Sequence, residues 1–143
     1  MLFHRIDIFF IQEHNVKDIN KLEYIEKHCH IILNSTHLLK GGTAFFINKL
    51  SQVTILNHEM DAKGQILSVK CTVLDKEFQL INIYAPSGKN KAKEREELFK
   101  DDLLYYLRNN LRNVILAGDW NCITSPEIRQ EMVLVFCQNH YQV

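Results

Sequence analysis

With 143 residues, 46% apolar and 24% charged, the chain has the makeup of an ordinary globular domain, able to bury roughly two thirds of its unfolded surface. Its 17 basic residues balance 17 acidic ones, so net charge offers no general pull toward nucleic acid or membrane, although a local patch stays open. No stretch approaches the roughly 18 uninterrupted apolar residues of a membrane span, and the opening MLFHRIDIFFIQEH is broken by His4, Arg5 and Asp7 with no small-residue cleavage site behind it, unlike a signal peptide.

The run IDIFFIQ (6–12) is too brief for a helix and predicts a buried strand. Asn15 is placed to cap a helix over VKDINKLEYIEKH (16–28), where Ile19, Leu22, Tyr24 and Ile25 fall at helical spacing. A second strand, CHIIL (29–33), follows. Cys29 lies between His28 and His30, yet no second Cys/His pair stands at zinc-site spacing. With Cys71, Cys122 and Cys137 it reads as one of four reduced, mostly buried thiols of an intracellular protein, nuclear or cytoplasmic.

Gly41-Gly42 reads as a flexible turn opening the strand TAFFIN (43–48). QVTILNHEMD (52–61) and QILSVKCTVL (65–74) form a hairpin around residues 61–64, and EFQLINIYAP (77–86) continues the meander. KNKAKEREELFKDDLLYYLRNN (89–110) predicts a helix that buries Phe99, Leu103, Tyr106 and Leu107. Lys89, Lys91, Lys93 and Arg95 could meet a phosphate backbone, but Glu94, Glu96 and Glu97 among them mark a solvated face. NVILAG (113–118) is the next strand, and Ser125 and Pro126 open a last helix, EIRQEMVLVFCQNH (127–140). The order is α/β: two strand–helix–strand units flank an antiparallel run, which fits a sheet sandwich covered by helices.

Three strands end in the same way. IFFI runs into Gln12-Glu13, LINI into Tyr84 before Ala85-Pro86, and VILAG into Asp119. Burying an unpaired carboxylate costs several kcal/mol or more, so a carboxylate at the mouth of a buried strand calls for a metal ion, a cation or a hydrogen-bonded group. Side chains two apart on a strand share a face, so Asp119 and Asn121 can point together while Trp120 turns into packing, and Asn82 lies on the side of Tyr84. Oxygen ligands such as Glu13 suit Mg²⁺ or Mn²⁺, Asn121 can donate to a phosphate oxygen, and Asp119 can orient or deprotonate a water. Each residue taken alone also has a plain structural role: Glu13 as a solvated strand end, Tyr84 in packing, Asp119 bonded to turn amides.

In order, DIFFIQEHN (7–15), GGTAFFINK (41–49), INIYAPSG (81–88) and VILAGDWNC (114–122) resemble the endonuclease/exonuclease/phosphatase superfamily. The closer likeness is to the apurinic-endonuclease-like domain of LINE-type, non-LTR retrotransposons. The resemblance implies a two-sheet α/β sandwich with its site along one edge, acting on DNA with Mg²⁺ or Mn²⁺. It implies that Glu13 holds the metal, Tyr84 contacts the scissile phosphate, Asp119 positions or activates water, and Asn121 binds phosphate and orients Asp119. A reverse transcriptase domain in a parent polyprotein is the partner it implies, with no membrane.

The departures from that pattern carry expectations of their own. The family's first strand with its Asn has no counterpart before IDIFFIQ, and its closing Ser-Asp-His has none after Asn121; His140 in QNHY lacks the Asp and reads as a tail residue. Ser87 stands where many members carry a second Asn, weakening a phosphate contact there, and His14 replaces a common Thr. The chain is therefore expected to be a single incomplete domain, 1–143, lacking first and last strands, with unpaired sheet edges and little or no nicking activity. A non-catalytic interaction module of the same fold, or a phosphatase or phosphodiesterase with a substrate other than DNA, are the alternatives.

Overall fold

Apolar alternation along the strands resolves into two facing sheets. The computed structural model describes residues 6–16, 18–35, 41–108, 113–122 and 134–136. β1 (Ile8–Gln12), β2 (Cys29–Asn34) and β3 (Thr43–Asn48) form a three-stranded sheet in the order β1-β3-β2, with both neighbours antiparallel to β3. β4 (Val53–Met60), β5 (Ile66–Val73), β6 (Lys76–Tyr84), β7 (Val114–Asp119) and β8 (Leu134–Phe136) form the second sheet in chain order. Only β6 and β7 run parallel in it.

The strand period of two splits the larger sheet between two cores. Toward the small sheet, Leu67, Val69, Cys71 and Leu80 meet Ile32, Phe45 and Ile47. On the opposite face, Ile66, Ile81, Ile83 and Leu116 meet Leu98, Leu103 and Tyr106 of the helical run 89–108. Burying each such aliphatic side chain contributes about 1.5–3 kcal/mol relative to leaving it in water. The result is three layers: small sheet, large sheet, helix. The expected two-sheet α/β sandwich is what forms.

The helical run is not uniform. A 3₁₀ turn (Lys89–Lys91) leads into α2 (Ala92–Glu97), a wide π turn (Leu98–Asp102) and α3 (Leu103–Arg108); α1 is the short helix Glu23–Glu26. In the π turn the Leu103 amide donates to the Leu98 carbonyl. That five-residue step sets both leucines on the buried side, and it explains why 3.6-residue periodicity finds Leu103 and Tyr106 but misses Leu98. On the outer face Lys91, Lys93 and Lys100 pair with Glu94, Glu97 and Glu96, as a solvated face should.

Several expectations need correction. The helix over 16–28 shrinks to a 3₁₀ turn (Ile19–Leu22) and α1, and Asp18, not Asn15, caps it by accepting from the Asn20 amide. Tyr24 is 67% exposed and stacks edge-on with His28. The expected last helix contains a strand instead: β8 pairs with β7, Leu134 opposite Leu116. Its Leu-Val-Phe is bounded by Val133, and such β-branched and aromatic residues favour a strand that satisfies the open backbone groups of β7. β8 thus pairs the first half of β7, Val114 to Leu116. Ser125, Pro126, Cys137 and His140 lie outside the described residues. Cys29 and Cys71 are buried, which pushes both thiols up, while Cys122 is exposed. Among the described residues no helix is long and apolar enough to cross a membrane.

Candidate functional site

Parallel pairing delivers two strand ends to one edge of the sandwich, because neighbouring parallel strands finish on the same side. β6 and β7 are in register with Tyr84 opposite Asp119, and the Ala85 amide extends the ladder to the Asp119 carbonyl at 2.8 Å. Gly118 permits this approach. With φ of 148°, a Cβ on it would stand 1.9 Å from the Ile83 carbonyl oxygen, so no side chain fits. Past Asp119 the chain turns left-handed at Asn121 (φ 46°). The Asn121 amide then donates to Asp119 Oδ1 at 2.9 Å, and its side-chain Nδ2 donates to the Ala85 carbonyl at 2.7 Å. Trp120 turns to the opposite face, 5.4 Å from the Phe99 ring and against the helical core.

Glu13 arrives from the other sheet. It follows β1 with a left-handed backbone (φ 52°), and the Tyr84 hydroxyl donates to its Oε1. Burial pushes the Tyr84 phenol up to about 12, helped by that bond and by the charges of Glu13 and Asp119, while the Ser87 hydroxyl pulls the other way. Tyr84 therefore keeps its proton at neutral pH and acts as a donor. Glu13, Tyr84, Asp119, Asn121 and Ser87 thus meet along one edge, drawn from both sheets.

Beneath them Asn82 is fully buried and spans the two sheets. Its Oδ1 accepts from Gln12 Nε2 at 2.5 Å, and its Nδ2 donates to the carbonyls of Ile11 and Ala44 at 3.0 and 2.9 Å. Sequence reasoning placed Asn82 on the correct face but gave it no task. An amide in an otherwise apolar strand, two residues before a polar strand end, was the available signal. The Gly41-Gly42 pair was also misjudged. Both glycines have positive φ, and neither has free room for a side chain: a Cβ on Gly41 would lie 3.2 Å from the Tyr84 ring, and one on Gly42 would lie 2.5 Å from His14 Nε2. They are a packed seam under the site. His14 is half-buried, and burial lowers its pKa against a smaller opposing effect of the Asn34 backbone.

The donor set is hard oxygen, from Glu13 and Asp119 on either side of a protonated phenol. Among the described residues no group of three or more His, Cys, Asp and Glu comes together. Two hard-oxygen carboxylates are the kind of donors that suit a divalent ion such as Mg²⁺ or Mn²⁺, commonly held by one or two carboxylates and completed by waters and substrate phosphate. Among the described residues, left-handed non-glycine backbone occurs at Glu13, Asn15 and Asn121 near this edge and at Leu74, Asp75 and Asn113 elsewhere. Such positions cost of order 1–3 kcal/mol each and concentrate where a site dictates the backbone.

No family model and no curated protein matches the chain. Solved structures do. TDP2 from D. rerio, complexed with a single-strand DNA product, superposes with a TM-score of 0.68 at 21% identity over 83% of this chain and 49% of that one. An AP endonuclease from Archaeoglobus fulgidus gives 0.56 at 18% identity over 86% and 50%. The 3′ phosphatase NExo from Neisseria, bound to a product DNA hairpin, gives 0.59 at 19% identity over 84% and 49%. The chain spans about half the length of these structures. What these neighbours share with it is architecture: the chain has the α/β fold of the endonuclease/exonuclease/phosphatase superfamily.

Proposed function

We propose that the chain is a divalent-metal-dependent phosphodiesterase domain acting on DNA, with Glu13, Tyr84, Asp119 and Asn121 as its working residues. One observation carries the reading: the Tyr84 hydroxyl on Glu13 with Asp119 in register beside Tyr84, three strand-end groups from two sheets at one edge. Glu13 would hold a divalent ion such as Mg²⁺ or Mn²⁺, which would supply Lewis-acid neutralisation of phosphate charge. The Tyr84 phenol, kept protonated, turns its single O–H from Glu13 to a phosphate oxygen when substrate binds. Asp119, oriented by the Asn121 amide, aligns the attacking water and takes its proton. Asn121 spends one side-chain N–H on Ala85 and has a second for phosphate. Ser87, beside the Tyr84 hydroxyl, is placed to add a weaker contact.

Fold neighbours named for DNA-bound states support DNA as substrate, and the local likeness of QE, YAP and GDWN to LINE-type domains supports nicking and a reverse transcriptase as the functional partner. A supercoiled-plasmid nicking assay with Mg²⁺ tests the proposal. Metal-dependent nicking should vanish in Glu13→Ala and in Asp119→Ala; nicking that survives both changes overturns the assignment.

A further inference from the structure

We propose that His14 is a positioning residue for Glu13, a latch that fastens the turn after β1 to the small sheet and so sets the carboxylate beside Tyr84. This rests on the reading of Glu13 as the metal-holding carboxylate.

The turn needs fastening. Glu13 and Asn15 are both left-handed, so the chain leaves β1 in a conformation that its own residues disfavour. His14, between them, ties it down twice. Its Nδ1 accepts from the Val16 amide at 3.0 Å, closing the turn locally. Its Nε2 lies 3.4 Å from the Asn34 carbonyl at the end of β2, the far strand of the sheet. These two partners assign the tautomer: Nδ1 accepts and Nε2 carries the proton. Gly42 gives the imidazole its passage, since a Cβ there would fall 2.5 Å from Nε2 and 2.9 Å from the Asn34 carbonyl oxygen.

Asn15 fastens the other side. Its Nδ2 donates to the Glu13 carbonyl at 2.8 Å and its Oδ1 accepts from the Gly41 amide at 3.1 Å. The anchor is itself held firmly: Asn34 is buried, and its Nδ2 donates to Asp61 Oδ1 at 2.9 Å and to the Ile66 carbonyl at 2.8 Å. The path from Glu13 through His14 therefore ends where the two sheets are bolted together. The imidazole touches neither phosphate nor metal in this scheme; it acts through the carboxylate next to it.

Mn²⁺ binding to the full chain, followed by paramagnetic resonance titration, tests the latch without relying on turnover. Glu13→Ala should abolish saturable binding. His14→Ala should weaken it by about tenfold or more, the usual effect of losing a group that orients a ligand. His14→Asn should recover part of the loss, because Oδ1 of asparagine can accept from Val16 as Nδ1 does, while its shorter side chain falls short of Asn34. Thermal melts of each variant run alongside; if His14→Ala does not fold, His14→Asn against wild type carries the comparison. Wild-type Mn²⁺ affinity in a folded His14 variant, with Glu13→Ala still binding none, overturns the latch alone. Unchanged affinity in Glu13→Ala overturns the reading beneath it. His14→Asn no better than His14→Ala removes the Val16 half of the argument.

Discussion

Single positions carry unequal burdens at the site edge. Gly118 is the most constrained, because the Ile83 backbone occupies the space of any side chain and its φ is one that L residues rarely adopt. Gly118→Ala must push β6 and β7 apart at the point where Tyr84 and Asp119 leave the sheet. A loss on the order of 3 kcal/mol is expected, the upper range for forcing a methyl into packed structure. Denaturant unfolding measures it; a variant within about 0.5 kcal/mol of wild type, the scale of a harmless surface change, would show that the strands accommodate the methyl. Gly41 differs, since its neighbour is the Tyr84 ring, a side chain, whereas Gly42 faces both the His14 imidazole and the Asn34 backbone carbonyl. The glycines in the sequence look alike; which backbone or ring presses on each appears only once the sheets are assembled.

Among the elements, β6 does the most. Its odd residues Ile81 and Ile83 serve the helical core, and its even residues Leu80, Asn82 and Tyr84 serve the sandwich and the site. Asn82→Ala would leave Gln12 Nε2 without its acceptor and the Ile11 and Ala44 carbonyls with their ladder partners alone, at about 1–3 kcal/mol for the lost buried bonds. The expected outcome is a lower melting temperature together with weaker Mn²⁺ binding, since Gln12 adjoins Glu13; a normal melt would deny Asn82 its bridging role. Most strands were legible because period-two alternation is a local property: TAFFIN and the hairpin around 61–64 fall where the pattern puts them. Three kinds of feature were not. The π turn breaks the 3.6-residue rule at Leu98, Asp18 caps the 3₁₀ turn Ile19–Leu22 while Asn15 is engaged with Gly41, and β8 takes its conformation from the open edge of β7. The strand ends at Glu13, Tyr84 and Asp119 were readable as polar groups on apolar strands. The fasteners around them, His14, Asn15, Asn34 and Asn82, were not, because each bonds a residue distant in the chain.

For the molecule as a whole, alkaline pH is a sharper probe of the helix-side core than acid. Burial pushes the Tyr106 phenol up from its ordinary 10 to about 12, aided by the charges of Asp61 and Glu59. Below pH 10 the folded and unfolded chains both hold this proton, and the stabilisation is complete. Between 10 and about 12 the unfolded chain releases it first, so stability falls as pH rises. Thermal melts should therefore decline through this window, and Tyr106→Phe should flatten the decline. An equally steep decline in the variant would assign the effect to other groups; Tyr84, shifted in the same direction, is the next to replace.

The parallel join of β6 to β7 also has a consequence in time. β4, β5 and β6 meet through tight local turns, whereas β7 can dock only after the intervening helical segment has folded back across the sheet. Pairing of distant segments pays its loop-closure entropy first and is slow. The chain's one tryptophan, Trp120, sits just past that late join. In stopped-flow refolding its fluorescence should change after the far-ultraviolet signal of the meander, so the edge that carries Tyr84 and Asp119 would be the last part of the molecule to come into being. Simultaneous traces would mean that the crossover and the meander condense in one step.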